Sequence, residues 1–388
     1  MEIVKDVYCI KTVDWDLKTF HGYSTPYGTT YNAYLCKGEE NILIDTAKYY
    51  CEEQFFKMLE SIVPIKKISY VISNHAELDH SGLIVKLLER SGATLICSQK
   101  GKENLERHFH REFSKIIVVQ DKQTLKIGNI SLQFFLTPMV HWPDSMVTYL
   151  PDKKLLFSND AFGQHIASTK FFVDEVGLDI VLREARKYYA NIVNPYASSV
   201  KKVLSSLDSL DIQMILPSHG LIWRDRVQIE TIVEKYSKWA GNEAGQKILI
   251  VYATMWGSTK KMAERCYLEA VEKKYEAEMM NLSIKHISDI VGEIPEAKIL
   301  VFGTSVLHNQ ILPEMAGLIT YLSGLKFIGR KAWTFGSYGW AEFPLRKFEA
   351  MLKEAGFEVP HTGFYIKFVP EQQQLVELGK FFREKILD

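Results

Sequence analysis

Residues 73–82, "SNHAELDHSG", decide how the rest of the chain is interpreted. They follow the apolar run "KISYVIS" and place four metal-capable side chains, His75, Glu77, Asp79 and His80, close together. The apolar run predicts a strand and "SGLIVKLLER" predicts a helix, so we expect the four side chains on a strand-to-helix loop, able to turn toward one point. The alternative is a solvated polar loop with a capping aspartate.

Three distant segments repeat this context. "TPMVHWPDS" carries His141, "LLFSNDAFG" carries Asp160 and "MILPSHG" carries His219, each after a strand-like run and beside turn residues. One such residue alone is more often structural than a ligand. The simplest interpretation of the repeated context is that all three side chains meet the first motif in the folded chain. This interpretation predicts a metal site.

This ordered set resembles the metallo-β-lactamase fold superfamily, whose usual first motif is H-x-H-x-D-H, followed by a later histidine, an aspartate and a last histidine. The resemblance implies an αββα sandwich with a dinuclear metal site. This chain departs at Glu77, where the common motif has histidine. A carboxylate makes the site harder and more anionic, which favours iron over the histidine-rich zinc pair. Ligand type alone leaves zinc and manganese open.

The organisation of the chain predicts two domains, 1–243 and 244–388. The first has short strand-like runs, with hairpins at "YLCKGEENILID" and "TYLPDKKLLFS", then a mainly helical region from 178 to 240. This pattern is α+β or layered α/β. The polar segment "WAGNEAGQK" ends it, and "KILIVYA", "EAEMMNL", "AKILVFG" and "KAWTFGS" then alternate with helices. That alternation predicts a doubly wound parallel sheet, with ligands at the carboxyl ends of its strands.

Three loops after strands of the second domain form a candidate cofactor site. Residues 254–259, "TMWGST", offer hydroxyls, a glycine and a helix N-terminus, which together can cradle a phosphate. Neither G-x-x-x-x-G-K-S nor G-x-G-x-x-G is present in the loop. An ordinary capped turn and plain aromatic packing remain alternatives. The candidate residues are Thr254, Met255, Trp256, Gly257, Ser258, Thr259, Ser305, Val306, Leu307, His308, Asn309, Ser337, Tyr338, Gly339 and Trp340.

The three loops resemble the flavodoxin family, which implies that the first binds the FMN phosphate and the other two flank the flavin ring. A lactamase-like domain followed by a flavodoxin-like domain resembles the flavodiiron proteins, or A-type flavoproteins, over nearly the whole chain. "HWPDS", "GTTYNAYL" and "PSHG" also resemble that family. The resemblance implies an oxidoreductase that reduces dioxygen to water, nitric oxide to nitrous oxide, or both, at two non-haem irons supplied with electrons by FMN.

The resemblance also implies residue roles. His75, Glu77 and His141 would bind one iron, Asp79 and His219 the other, and Asp160 would bridge them. His80 matches a position that often stays outside the ligand set. Candidates for the substrate pocket are His21, Trp142, His165 and Tyr196.

The overall composition of the chain argues against two classes of binding partner, nucleic acid and anionic membrane. Lys plus Arg and Asp plus Glu both number 47, so no net charge recruits nucleic acid or anionic membrane. Five scattered cysteines without C-x-x-C fit the reducing cytoplasm, and no run is long enough to span a membrane. By the resemblance, electrons come from a separate protein such as rubredoxin, or from reduced deazaflavin. It also implies a head-to-tail homodimer or a dimer of dimers.

Two rival functions stay open at this stage. One is a zinc-dependent hydrolase of the lactamase fold joined to a flavodoxin domain. The other is a non-catalytic electron-transfer flavoprotein. The sequence does not choose between dioxygen and nitric oxide, because the metal ligands would be the same for both.

Overall fold

A computed structural model describes residues 1–387 of the chain. By internal contacts the chain divides into two compact units. The first consists of Met1–Tyr188 and Tyr196–Ala240, and the second of Tyr189–Pro195 and the chain from Gly241 onward.

The first unit contains two main sheets. Their strands are β1 (Glu2–Val4), β2 (Val7–Asp14), β3 (Thr19–Phe20), β4 (Tyr23–Ser24), β5 (Thr29–Cys36), β6 (Asn41–Ile44), β7 (Ile68–Ser73), β8 (Thr94–Ser98), β9 (Ile116–Val119), β10 (Thr124–Ile127), β11 (Ile130–Leu136), β12 (Met146–Leu150), β13 (Leu155–Asn159) and β14 (Met214–Pro217). One sheet has the strand order β1-β2-β5-β6-β7-β8-β9 and the other β10-β11-β12-β13-β14, while β3 and β4 form a small separate ribbon.

Helices cover the outer faces of these sheets. They are α1 (Glu52–Glu60), α2 (Leu78–Ser81), α3 (Ile84–Ser91), α4 (Gln99–Phe109), α5 (Leu178–Tyr188), α6 (Ala197–Leu207) and α7 (Arg226–Gly241). Local chemistry sets several of their ends. The α3 helix ends at Gly92, whose φ of 72° is left-handed, and the Ser98 side chain caps α4 by accepting a hydrogen bond from the Gly101 amide.

The core of the first unit lies in layers. Ile72 of the first sheet and Phe157 of the second share one apolar cluster between the sheets. On the other face of the first sheet, Val71 packs in a cluster with Phe55 of α1 and Leu87 of α3. On the outer side of the second sheet, residues of α6 and α7 line a cavity together with Leu156 and Ile215. The predicted αββα sandwich is confirmed, and both predicted hairpins are antiparallel strand pairs.

The second unit is built on a parallel sheet flanked by helices. Its elements are β15 (Lys247–Tyr252), α8 (Ser258–Glu272), β16 (Ala277–Asn281), α9 (Ile287–Glu293), β17 (Ala297–Leu307), β18 (Gln310–Ile311), α10 (Pro313–Leu325), β19 (Ala332–Tyr338), α11 (Phe343–Glu354), β20 (Phe364–Lys367) and α12 (Gln372–Phe381). The parallel strands have the flavodoxin-like order β16-β15-β17-β19-β20. The short strand β18 pairs antiparallel with the end of β17.

Both faces of this sheet are covered, which is why its central strands are almost continuously apolar. Phe302 of β17 packs with Leu318 of α10 and Phe348 of α11 on one face. On the other face, Ile250 of β15 packs with Met262 of α8 and Leu378 of α12. The predicted doubly wound parallel sheet is confirmed. Across residues 1–387, every helix is too short or too polar to cross a bilayer.

Candidate metal centre and cofactor cavity

Four of the six predicted ligands closely follow strands of the first unit, whereas His141 lies in the loop between β11 and β12 and Asp79 lies on α2. His75 and Glu77 follow β7, Asp160 follows β13 and His219 follows β14. The first motif differs from its sequence-based description, because α2 begins inside it and Glu77 is the residue before its first turn. Asp79 and His80 therefore lie on a helical turn instead of a loop. That turn aims both side chains into the sheet edge, and both are buried.

The donor atoms form two opposed groups, one of His75, Glu77 and His141 and one of Asp79, His80 and His219. In the first group, Glu77 Oε2 lies 3.3 Å from the Nε2 atoms of both histidines. In the second, Asp79 Oδ2 lies 3.1 Å from His219 Nε2, and Asp79 Oδ1 lies 3.4 Å from His80 Nε2. Each group offers three donor atoms that converge on one point.

Asp160 joins the two groups. Its Oδ2 atom lies 3.3 Å from His141 Nε2 and 3.7 Å from His75 Nε2, whereas its Oδ1 atom lies 3.1 Å from His80 Nε2 and 3.4 Å from His219 Nε2. One carboxylate thus presents one oxygen to each group. This is the geometry that a bridging ligand requires.

Neighbouring polar groups orient the ligands. His75 Nδ1 pairs with Asp144 Oδ2 at 3.1 Å, and Asp144 also accepts hydrogen bonds from the Ala76 amide and from Asn104. His219 Nδ1 donates to the Thr30 carbonyl at 2.8 Å. Because Nδ1 is held in this way, Nε2 of each ring is left as the donor atom toward the cluster.

The electrostatics are those of a mixed cationic and anionic cluster. Burial opposes charge on Glu77, but hydrogen bonds from His141, His21 and His75 lower its pKa below the usual range. Burial also opposes a proton on His219, yet its contacts with Asp160 and Asp79 raise its pKa to about 10. Against burial, the neighbouring imidazoles lower the pKa of the Asp79 and Asp160 carboxyls, and Asp160 with Glu77 raises the pKa of His141 to about 9. Metal binding to such a set would release protons from the imidazoles.

Several polar atoms of the cluster lack well-formed hydrogen bonds, and these atoms indicate whether the residues suit metal ions. Asp79 Oδ1 and Oδ2, His80 Nε2, His219 Nε2 and Asp160 Oδ2 are buried without a well-formed hydrogen bond. Buried polar atoms are normally paired, and all of these point into one cluster. Two cations, one per group, would satisfy all of them, so the residues fit a dinuclear site.

The four predicted pocket residues are not equivalent. His21 Nε2 lies 2.8 Å from Glu77 Oε1, and the Trp142 ring lies 5.0 Å from the ring of His75. The His165 ring is 5.0 Å from that of His219, and burial, with the positive charge of His219, lowers the pKa of His165 well below its usual value. Within residues 1–387, Tyr196 has neither a hydrogen bond nor a ring contact with the cluster. The prediction for Tyr196 therefore has no structural support.

Sequence reasoning missed three contacts of the cluster. One is Tyr188, whose hydroxyl donates to Asp160 Oδ1 at 2.9 Å. Asp144 orients His75, and Tyr31 packs its ring 5.8 Å from that of His219. Asp144 could have been predicted as a contact, because it lies three residues after His141 in the motif "HWPDS". Tyr188 lies at the end of a helix, and no motif around it indicates a contact with the cluster.

The second unit has a cavity of about 750 Å³ at the carboxyl ends of β15, β17 and β19. The predicted loops 254–259, 305–309 and 337–340 all contribute to its wall. Trp256 and Trp340 are 92% and 87% exposed, an unusual state for large apolar rings that a bound planar group would relieve. The three predicted loops are thus brought together.

Hydroxyl groups and a helix end make the polar side of this cavity. Thr259 Oγ1 lies 2.9 Å from Ser305 Oγ and 3.0 Å from Ser337 Oγ, which joins the three loops. The α8 helix begins at Ser258 after Gly257, whose φ of 87° is left-handed and which offers no capping side chain. The first amides of α8 are thus left for an external anion, and the cavity fits a phosphorylated planar cofactor.

A fourth loop of the cavity wall was not predicted. It follows β20 and contributes Phe368 and Val369, each 59% exposed, while Ala341 extends the third loop. The rule that ligands meet strand ends would have found this loop. The sequence "FVPE" carries no phosphate-binding residue, so it did not stand out.

Comparisons with known proteins match both units. Residues 29–220 match the ODP family beta lactamase model, and residues 250–379 match the flavodoxin model. The chain is 35% identical to a nitric oxide reductase of Moorella thermoacetica, over 100% of this chain and 98% of that protein. It is 35% identical to a rubredoxin–oxygen oxidoreductase of Megalodesulfovibrio gigas, over 97% and 95%. The solved structure of the flavodiiron protein from Giardia intestinalis superimposes with a TM-score of 0.95 at 31% identity, covering 99% of this chain and 95% of that one.

Proposed function

This chain belongs to the flavodiiron protein family, and we propose that it reduces dioxygen to water, nitric oxide to nitrous oxide, or both. It is an oxidoreductase, in keeping with its full-length relatives. The observation that carries the proposal is Asp160, which offers one carboxylate oxygen to each of two three-residue donor groups. A bridged pair of redox metals suits a small gas molecule that must accept several electrons.

For the metal ligands we propose His75, Glu77 and His141 at one iron, Asp79 and His219 at the other, and Asp160 between them. We add His80 to the second iron. Its Nε2 atom is buried, lies 3.1 Å from Asp160 Oδ1 and has no well-formed hydrogen bond. Each iron would then have three donors of its own and a share of the bridge. When bound, the irons supply sites for the gas and the electrons that reduce it.

For the flavin we propose FMN in the cavity of the second unit, where it collects electrons for the irons. The uncapped start of α8 and the hydroxyl of Ser258 in the cavity wall support phosphate binding there, while Thr259 holds the loops together through Ser305 and Ser337. The exposed rings of Trp256 and Trp340, with the partly buried ring of Tyr338 in the same wall, support contact with the planar ring. This assignment corresponds to a flavin-binding domain of residues 244–388 after a diiron domain of residues 1–243.

The electron donor and the assembly belong to the same proposal. A relative is named for rubredoxin, so we propose a separate donor such as rubredoxin, with reduced deazaflavin as the other candidate. We propose a head-to-tail homodimer or dimer of dimers, in which the flavin of one subunit lies beside the iron pair of its partner. A cytoplasmic location is supported by the cysteines, since all five are buried and unpaired.

The chain's own residues then divide the work. Asp144 and the Thr30 carbonyl hold His75 and His219 in the orientation that points Nε2 at the metals. Tyr188 donates to Asp160 and fixes the bridging carboxylate. His21, half-exposed at the edge of the cluster, contacts Glu77, and the hydrogen bond with that carboxylate raises the pKa of the His21 imidazole.

Replacing Asp144 with asparagine is expected to weaken iron binding by about 10–100-fold, as loss of an orienting partner of a metal-bound histidine commonly does. An amide cannot accept the hydrogen bonds of His75 and of the Ala76 amide as strongly as a carboxylate. Competition with a chelator, followed by iron analysis, measures the change. Asp211→Asn, which removes a surface partner of Lys154, is the matched control and should leave iron affinity as in the wild type.

The function is tested first by metal analysis and turnover on the same preparation. Two irons per chain, with reduction of dioxygen or nitric oxide by the flavin-reduced protein, is the expected result. Two zincs with esterase turnover would replace the proposal with a hydrolase. Electron transfer to an acceptor protein, with neither gas reduced, would replace it with a non-catalytic flavoprotein.

A further inference from the structure

The motif "GTTYNAYL" leaves Tyr31 without a role in metal or flavin binding. Its side chain is almost fully buried, and its ring meets that of His219 at 5.8 Å in an edge-to-face arrangement. Its hydroxyl lies 3.0 Å from the hydroxyl of Tyr50. Tyr31 therefore connects a metal ligand to a second tyrosine.

The connection continues to the surface. Tyr50 is 49% exposed, and its ring lies 5.4 Å from that of Tyr49, which is 65% exposed. Both tyrosines line an open cavity of about 780 Å³, together with Phe56 and Lys57. The three aromatic rings thus form a continuous path from His219 to a surface cavity that a small molecule can enter.

A proton acceptor stands beside this path. Asp14 Oδ2 accepts a hydrogen bond from Tyr50 and lies 3.4 Å from the Tyr31 hydroxyl. Asp14 Oδ1 is held by the amides of Asp16 and Leu17, so the carboxylate is fixed in position. A phenol loses an electron readily only when its proton can leave at the same time, and here each phenolic proton has an acceptor. Packing alone would not require this arrangement.

We propose that Tyr31, Tyr50 and Asp14 form a protective electron path that returns single electrons to the metal cluster when reduction of the gas stops short. The inference rests on the proposed function, because an incomplete reduction is what leaves an oxidising equivalent beside His219. The path does not take part in normal turnover. The reductant that ends the sequence is a small thiol, which reaches the exposed Tyr50 through the open cavity that Lys57, Arg90 and three glutamates also line.

The steps balance in electrons and protons. Tyr31 gives one electron to the cluster and its phenolic proton to the Tyr50 oxygen, while the Tyr50 proton moves to Asp14. Tyr50 then returns one hydrogen atom to Tyr31 and becomes the radical. A thiol in the surface cavity gives one hydrogen atom to Tyr50 and leaves as a thiyl radical, and Asp14 releases its proton to solvent. The net change is one electron gained by the cluster, one proton released and one thiol oxidised.

Freeze-quench electron paramagnetic resonance tests the path. Iron-loaded, reduced holoprotein is mixed with hydrogen peroxide, which supplies oxidising equivalents whichever gas is the substrate. A tyrosyl radical is expected, identified by narrowing of the signal when ring-deuterated tyrosine is incorporated. Tyr31→Phe should reduce the signal at least tenfold. In Tyr50→Phe the radical should remain on Tyr31 and decay at least fivefold more slowly with added glutathione.

The controls separate this path from a structural role and from the proposed function. Tyr149→Phe removes a buried tyrosine hydroxyl whose partner is the Asp211 carbonyl, and should leave signal and decay unchanged. If Tyr31→Phe does not bind iron, the test of the path is the rate at which the tyrosyl signal decays in Tyr50→Phe. No tyrosyl signal in the wild type, an equal signal in Tyr31→Phe, or unaltered decay in Tyr50→Phe would overturn the inference. Gas uptake is measured separately, and its absence counts against the proposed function alone.

Discussion

Replacing Asp160 with asparagine is expected to lower the iron content from two ions per chain to one or fewer and to abolish most gas reduction. The two side chains have nearly the same volume, so the packing is preserved. In the wild type each of the two metal-binding groups faces one carboxylate oxygen of Asp160. In the variant, one of these groups would face the NH₂ of the amide instead. Breaking such a buried interaction costs about 3–5 kcal/mol, or about 10²–10⁴-fold in affinity.

Iron analysis and turnover on one preparation measure this effect. The matched control is Asp174→Asn, which removes a surface ion pair with Arg224 and should change neither quantity. Two irons and full turnover in Asp160→Asn would refute the bridging role of this carboxylate. The FMN content should stay at the wild-type level, because Asp160 belongs to the other unit of the chain.

Replacing Ser258 with aspartate is expected to give a protein that folds and holds iron but is isolated without flavin. An aspartate in the first turn of α8 stabilises the helix by about 0.3–1 kcal/mol. The same charge repels a phosphate at the helix N-terminus by about 4 kcal/mol at an effective dielectric constant near 20, which corresponds to about 10³-fold weaker FMN binding. Stability and cofactor binding should therefore change in opposite directions.

Flavin absorbance and thermal unfolding of the flavin-free protein measure the two changes. Ser323→Asp places the same charge on an exposed position of α10 and should leave flavin binding unchanged. Ser258→Ala should bind FMN more weakly than the wild type and far more tightly than Ser258→Asp. Wild-type flavin content in Ser258→Asp would place the phosphate elsewhere.

The fold was largely predictable because its signals are local. Hairpin turns, the glycine that ends α3 and the alternation of apolar strands with helices all appear in short windows of sequence. The αββα arrangement came from the resemblance that the dense first motif carried, since sheet pairing over long separations has no local signal. The turn of helix inside that motif was not predicted. Its metal-capable residues, Glu77, Asp79 and His80, indicate ligation and do not show the apolar pattern of a helix.

The candidate site was predictable where its residues follow strands. His141, Asp160 and His219 share that context, and parallel strand ends meet at one edge of a sheet. Tyr188 and Tyr31 could not be found in this way, because one ends a helix and the other lies inside a strand. Their roles depend on which side chains pack against them. The wall formed by Phe368 was missed because apolar contact leaves no sequence motif.

Anaerobic stopped-flow spectroscopy of the flavin-reduced, iron-loaded protein tests whether the cluster reduces a gas. The protein is mixed separately with dioxygen and with nitric oxide, and flavin reoxidation is followed. Rapid reoxidation by at least one gas is expected, lost in Asp160→Asn and retained in Asp174→Asn. Reoxidation by neither gas, or equal reoxidation in Asp160→Asn, would contradict a gas reductase built on the cluster that Asp160 bridges.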